Sequence, residues 1–190
     1  MSATPEVINN NNIDTNKNPN QKPGFAARKQ KTISGMEEKV VNIKSINKTT
    51  KGGRRQRFSV LAVIGDRNGK VGFGIGKSVE VPVAIQKAIK DAQKNIFNVQ
   101  ISKTGTVFHD FVGKKCASKV LIKPAKVGTG IIAGSVIRAV LELAGYKNIY
   151  SKNLGASSAL NMIRATINAL TNQHNPSNIA KLRNKSVSEL

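Results

Sequence analysis

The chain is predicted to be α+β, with two small bodies in succession. Twice along the sequence, strand-like apolar runs of period two give way to a helical apolar stripe. Glycine- and proline-bearing segments separate the pieces, and 39% hydrophobic content over 190 residues is enough for a modest core in each body.

Residues 1–35 hold asparagines at 9 to 12, 16, 18 and 20, and become basic from Lys22 through Lys31. With few aliphatic residues and no period, they are expected to form a disordered extension. The first body is placed at 36–99. Val40, Val41, Ile43 and Ile46 make a strand-like run, and Phe58 to Ile64 a second. Between them, Thr49 to Arg57 reads as a mobile, highly charged loop. Asn68-Gly69 supplies a tight hairpin turn. The next strand, Lys70 to Ile75, runs into glycines at 72, 74 and 76, so one of its faces lacks side chains and must receive a packed helix or a ligand backbone. Pro82 starts a helix whose stripe is Val81, Ile85, Ala88/Ile89, Ala92 and Ile96.

The second body is placed at 100–174. Strands are expected around Gly105 to Val112 and Ser118 to Ile122, joined by Gly113-Lys114-Lys115. A helix is expected from about Ile131 to Ala144, ended by Gly145. Lys147 to Lys152 reads as a strand, and Ser157 or Ser158 caps a last helix with the stripe Leu160, Ile163, Ile167, Leu170. Residues 175–190 form a basic tail. Cys116 is alone, which excludes an internal disulfide, and its strand-like setting suggests a small buried hydrophobe.

Charge carries the first functional inference. The chain has 31 Lys+Arg against 10 Asp+Glu, a net +21. Residues 36–98 carry 13 cations and five anions, and residues 99–175 carry ten and two. Two comparably basic bodies point to a protein embedded in a polyanion, because such self-repulsion needs neutralising. No apolar run approaches the roughly 18–20 residues that span a bilayer, and no signal-peptide pattern stands at the N-terminus. The chain is therefore read as cytoplasmic, with no membrane partner and no homo-oligomer.

Catalysis finds little footing. Gly72-Phe-Gly74-Ile-Gly76-Lys77-Ser78 misses both a phosphate loop and a dinucleotide fingerprint by one residue. Gly128-Thr-Gly130-Ile-Ile-Ala133 fits better and precedes a helix, yet no acid follows where a ribose would need one. That helix start either receives an RNA phosphate or serves close packing, and the residues leave both open. His109 and His174 are far apart in sequence, and the acids are scattered. No catalytic residue, cofactor or metal is expected. The sharpest signal is Lys51-Gly52-Gly53-Arg54-Arg55-Gln56-Arg57, with four cations in seven residues and two glycines that let backbone approach a sugar–phosphate chain.

With these motifs assembled, the chain resembles the universal family of small-subunit ribosomal protein number five. The matching stretches are Lys51 to Arg54, Val63 to Asp66, Gly69 to Lys77, Glu80 to Ala88, Gly128 to Gly134 and Val136 to Glu142. They span about residues 37–185. The resemblance implies a double-stranded-RNA-binding-like domain followed by a small α/β domain with a left-handed βαβ crossover. It implies a structural constituent of the small ribosomal subunit that binds its ribosomal RNA and contributes to assembly, decoding accuracy and the path by which messenger RNA enters. Neighbouring proteins four and eight are the implied partners. The loop numbered 47–54 is expected near where spectinomycin binds, and Gly130 and Arg138 at the contact with protein four. The candidate RNA-binding residues are Lys48, Lys51, Gly52, Gly53, Arg54, Arg55, Arg57, Lys70, Lys77 and Lys87. Departures from the family pattern touch this set: Gln56 stands where the family usually has an aromatic, Arg55 and Arg57 add charge on either side of it, and Lys70 stands where arginine is frequent. The rival reading is a free double-stranded-RNA-binding regulator, which predicts only one basic body.

Overall fold

The computed structural model describes residues 35–189, and its first strand outruns its apolar stretch. β1 covers Glu37–Thr50 and β2 covers Gly53–Gly65, paired antiparallel from Glu37↔Gly65 to Thr50↔Gly53 with a bulge between Val40 and Asn42. The charged segment predicted to be a mobile loop is thus mostly strand, and only Lys51 and Gly52 stand in the turn. Two adjoining strands satisfy each other's backbone groups whatever their side chains, so a ladder can continue through a charged stretch. Thr50 Oγ1 donates to the Gly53 carbonyl at 3.0 Å, and Gly53 has φ of 124°, which glycine alone adopts easily. The extension predicted as disordered lies outside the described residues up to 34.

β3 (Lys70–Ser78) pairs with β2, and α1 (Val81–Lys94) follows. A short β4 (Ile96–Asn98), which the sequence reading lacks, returns to β3 and completes the sheet order β1-β2-β3-β4. The bare face of β3 is filled by a helix. A Cβ at Gly76 would strike the Ala84 carbonyl, and one at Gly74 the Ala88 carbonyl and Ala92 amide. Ala84, Ala88 and Ala92 recur every four residues and are fully buried there, so alanine seats directly on glycine. Of the predicted stripe, Ala88, Ile89 and Ala92 are buried on this face, whereas Val81 and Ile85 are only half-buried and Ile96 belongs to β4.

The second sheet holds β5 (Phe111–Lys115), β6 (Ser118–Pro124), β7 (Ile131–Ile132) and β8 (Ile149–Asn153) in the order β5-β6-β8-β7. Only β7 and β8 are parallel, and α2 (Ser135–Ala144) joins them. The predicted helix over 131–144 therefore begins four residues late, its first residues being spent on β7. β5 also starts later than expected and includes Gly113 to Lys115. The turn is Cys116-Ala117, with Cys116 in the left-handed region at φ 52°. Cys116 is exposed, not a buried hydrophobe, because it sits at a two-residue tip. α3 (Ala159–Thr171) lies on this sheet, and a Cβ on Gly113 would meet its Ala165 carbonyl. Part of the basic tail is α4 (Pro176–Arg183), capped by the Asn175 side chain, which accepts from the Ser177 amide at 3.0 Å.

One apolar cluster joins the two sheets. Leu61, Val63 and Val71 pack with Val120, Ile122, Val140, Leu141 and Ile163. α2 sits at the junction with six of its ten residues buried, which suits a helix that packs on more than one side. Hydrogen bonds fix the seam: the Arg67 amide donates to the Leu143 carbonyl at 3.0 Å and the Gly69 amide to Ala144 at 2.9 Å. Lys39 and Glu142 add an exposed ion pair at 2.7 Å.

Candidate RNA interface

The β1–β2 register decides where the cations point. Lys48 lies opposite Arg55, Ile46 opposite Arg57, and Lys44 opposite Ser59, which in turn faces Lys77 across β3. Successive side chains alternate between faces. Lys44, Lys48, Arg55, Arg57 and Lys77 therefore share one face, on the side of Leu61, while Arg54 shares the α1 side with Val60. Lys51 and Gly52 occupy the tip. Among the described residues, none of these cations forms an ion pair; the three acidic side chains in salt bridges hold Lys39, Arg67 and Lys123 instead. Like charges directly opposite are destabilising in a ladder, so the Lys48–Arg55 pair argues for an anion beyond the protein.

Other predicted residues lie elsewhere. Lys70 starts β3, at the opposite end of that strand from Lys77. Its amide donates to the Asp66 carboxylate at 2.9 Å, as does that of Asn68 at 2.7 Å. Burial alone would raise Asp66, but these amides, its own amide and the Lys70 charge outweigh it and hold the carboxyl below its ordinary value. Lys87 is on the solvent side of α1, across the sheet from the five-cation face. Arg138 reaches the residue after Gly130: its Nη2 donates to the Ile131 carbonyl at 2.8 Å.

Of the two alternatives at Gly128 and Gly130, close packing is the one the structure sets aside. Side chains there would meet nothing within 4 Å, so close packing is not their role. Their φ values of 92° and 76° are left-handed, and their amides donate to Asn148 Oδ1 at 3.0 and 3.2 Å. Asn148 also donates from Nδ2 to the Thr104 carbonyl at 3.1 Å and is buried. Sequence reading missed it, since an Asn between Lys147 and Ile149 looks like any turn residue.

The histidines, separated by 65 positions, meet in space with ring centroids 5.9 Å apart. His109 Nε2 accepts from the His174 amide at 3.2 Å, and Nδ1 lies 2.9 Å from the Asp110 carbonyl, so Nδ1 carries the proton of a neutral ring. The pair ties the start of the tail to the second sheet. Among the described residues, no three His, Cys, Asp or Glu side chains gather as metal ligands, and no helix is long and apolar enough to cross a membrane.

Residues 36–100 match the family of ribosomal protein S5, N-terminal domain, and residues 113–183 that of ribosomal protein S5, C-terminal domain. The chain belongs to the ribosomal protein S5 family. Its relatives include the small ribosomal subunit protein uS5 of Malacoplasma penetrans, 56% identical over 85% of this chain and 69% of that protein. The protein of the same description from Mycoplasmoides gallisepticum is 57% identical over 84% and 71%, and that of Thermotoga maritima 52% identical over 81% and 86%. Members of this family are structural constituents of the small ribosomal subunit and not enzymes, so the resemblance read from the sequence is correct.

Proposed function

We propose that the protein binds small-subunit ribosomal RNA through the cationic face of the β1–β2 hairpin, near the decoding region of the cytoplasmic ribosome. In that place it supports subunit assembly and decoding accuracy and borders the path by which messenger RNA enters. Proteins four and eight are its neighbours, with Gly130 and Arg138 at the contact with protein four. The observation that carries the reading is the hairpin: four of its cations share one face with Lys77 of β3, none has an acidic partner among the described residues, and the tip is the two residues Lys51 and Gly52. Phosphates supply the missing anions and let the like charges stand side by side. A free regulator has less support, since both bodies are basic and the family is ribosomal.

The test replaces Lys48, Arg55 and Arg57 with glutamine. The variant should fold, because all three are exposed, and the salt dependence of its binding to purified small-subunit RNA should lose about one unit of slope per phosphate contact removed. Cells carrying only this variant should show altered spectinomycin sensitivity or misreading. An unchanged slope with normal fidelity and drug response would overturn the reading.

A further inference from the structure

From His174 onward the chain leaves the second sheet as an arm with little core of its own. Its helix α4 buries only Ala180 of eight residues, and Leu182 is 86% exposed. The arm is fixed at its root by His109, which stands half-buried just before β5. Nε2 of that ring accepts from the His174 amide at 3.2 Å, and the His109 amide donates to Gln173 Oε1 at 3.3 Å. Gln173 is buried and donates in turn to the Ala169 carbonyl of α3 at 3.4 Å. Both ring nitrogens of His109 are therefore committed, Nδ1 as donor to the Asp110 carbonyl and Nε2 as acceptor. Only a neutral ring satisfies both.

We infer that His109 is a pH-sensitive latch, which holds the α4 arm when its ring is neutral and releases it when the ring is protonated. An imidazolium carries hydrogens on both nitrogens, so Nε2–H would face the His174 N–H and that amide would lose its acceptor. The latched arm excludes a proton that the released arm accepts. Acid therefore favours release, and rising pH favours closure. The groups around the ring leave this conflict in place. Asp110 adjoins it, but the Asp110 carboxylate turns to Lys123 of β6 at 3.5 Å. The His174 ring stacks on it with centroids 5.9 Å apart, and two charged rings there would repel. Phe111 of β5 makes a T-shaped contact at 6.1 Å, and α3 reaches it through the uncharged Gln173. Imidazole is the side chain that ordinarily changes charge between about pH 5 and 8, a range in which carboxylates and lysines keep theirs.

The experiment uses the purified full chain between about pH 7.5 and 5.5. Amide exchange of His174 is read as a protection factor, which divides out the pH dependence of exchange itself. That factor should fall about tenfold across the range, while the buried Ala169 and Leu170 of α3 keep theirs. A nitroxide on Leu182→Cys, in a Cys116→Ser background, should gain mobility over the same interval. His109→Phe removes the acceptor and should leave the label mobile at every pH. His174→Ala keeps the donating backbone amide, so its label should still respond to pH. A His174 protection factor that does not change with pH would overturn the latch, and this reading on the unaltered protein depends on no variant folding. A pH response abolished in His174→Ala but kept in His109→Phe would overturn it by assigning the switch to the wrong ring. Protection lost from α3 in step with His174 would mean general acid unfolding and would overturn it equally.

Discussion

The two four-stranded sheets differ in what lies on them. The first has α1 on one face, and its other face, through Leu61, Val63 and Val71, enters the shared core. Only its hairpin end projects free. The second has a helix-covered inner face and an outer face of exposed lysines. In both sheets the covered face admits a helix by the same device, a glycine beneath helical backbone: Gly74 and Gly76 under α1, Gly113 under α3. In both, the unpaired cations gather where no element of the described chain provides cover. Burying a charge without a partner is costly, so the faces that packing leaves open are those where cations collect.

The sharpest break of this comparison lies within one strand. Gly113→Ala places a Cβ against the α3 backbone, which cannot yield as a side-chain tip would, and should cost about 3 kcal/mol in urea unfolding. Its neighbour on the open face, Lys114→Ala, should change stability by less than about 0.5 kcal/mol. Similar costs for the two would mean that the second sheet is not covered on one face alone.

A smaller effect is expected where a loop of the second lobe is held by one buried side chain. Asn148→Ala leaves the Gly128 and Gly130 amides and the Thr104 carbonyl without their partner. It should destabilise by about 2 kcal/mol and speed amide exchange at both glycines, while the hairpin keeps its exchange rates.

The smallest effect concerns the seam between the sheets. Asp66 titrates below its ordinary value of 3.8, so its contribution to stability is present above that pH and is lost as pH falls through the lowered folded value. Asp66→Asn should therefore lower Tm at neutral pH, and its difference from the unaltered protein should shrink as pH falls below 3.8. A difference that does not change with pH would show that the carboxyl's charge plays no part.

Much of the fold was legible because its signals are local. Alternating glycines announced a close approach on β3, Asn68-Gly69 a tight turn, and Gly145 the end of α2, where φ is 101°. The apolar residues of α3 fall where the 3.6 period puts them. The errors share a cause. The charged hairpin looked like a loop because ladder pairing is set by a partner strand and not by the composition of one strand. β4 and β7 are too short, at three and two residues, to show a period. Cys116 lies at a turn that neighbouring Gly113 seemed to claim.

By itself the sequence determined the α+β class, the strongly basic balance of both bodies, the absence of a recognisable catalytic pattern and, through its ordered motifs, the family. Tertiary structure alone decided which cations share a face, that a helix and not a ligand fills the bare side of β3, and that Asn148 holds Gly128 and Gly130. It also brought His109 to His174 and left the outer face of the second sheet open. The physical reason is range: composition and capping act over a few residues, whereas register, helix seating and burial depend on partners tens of positions away.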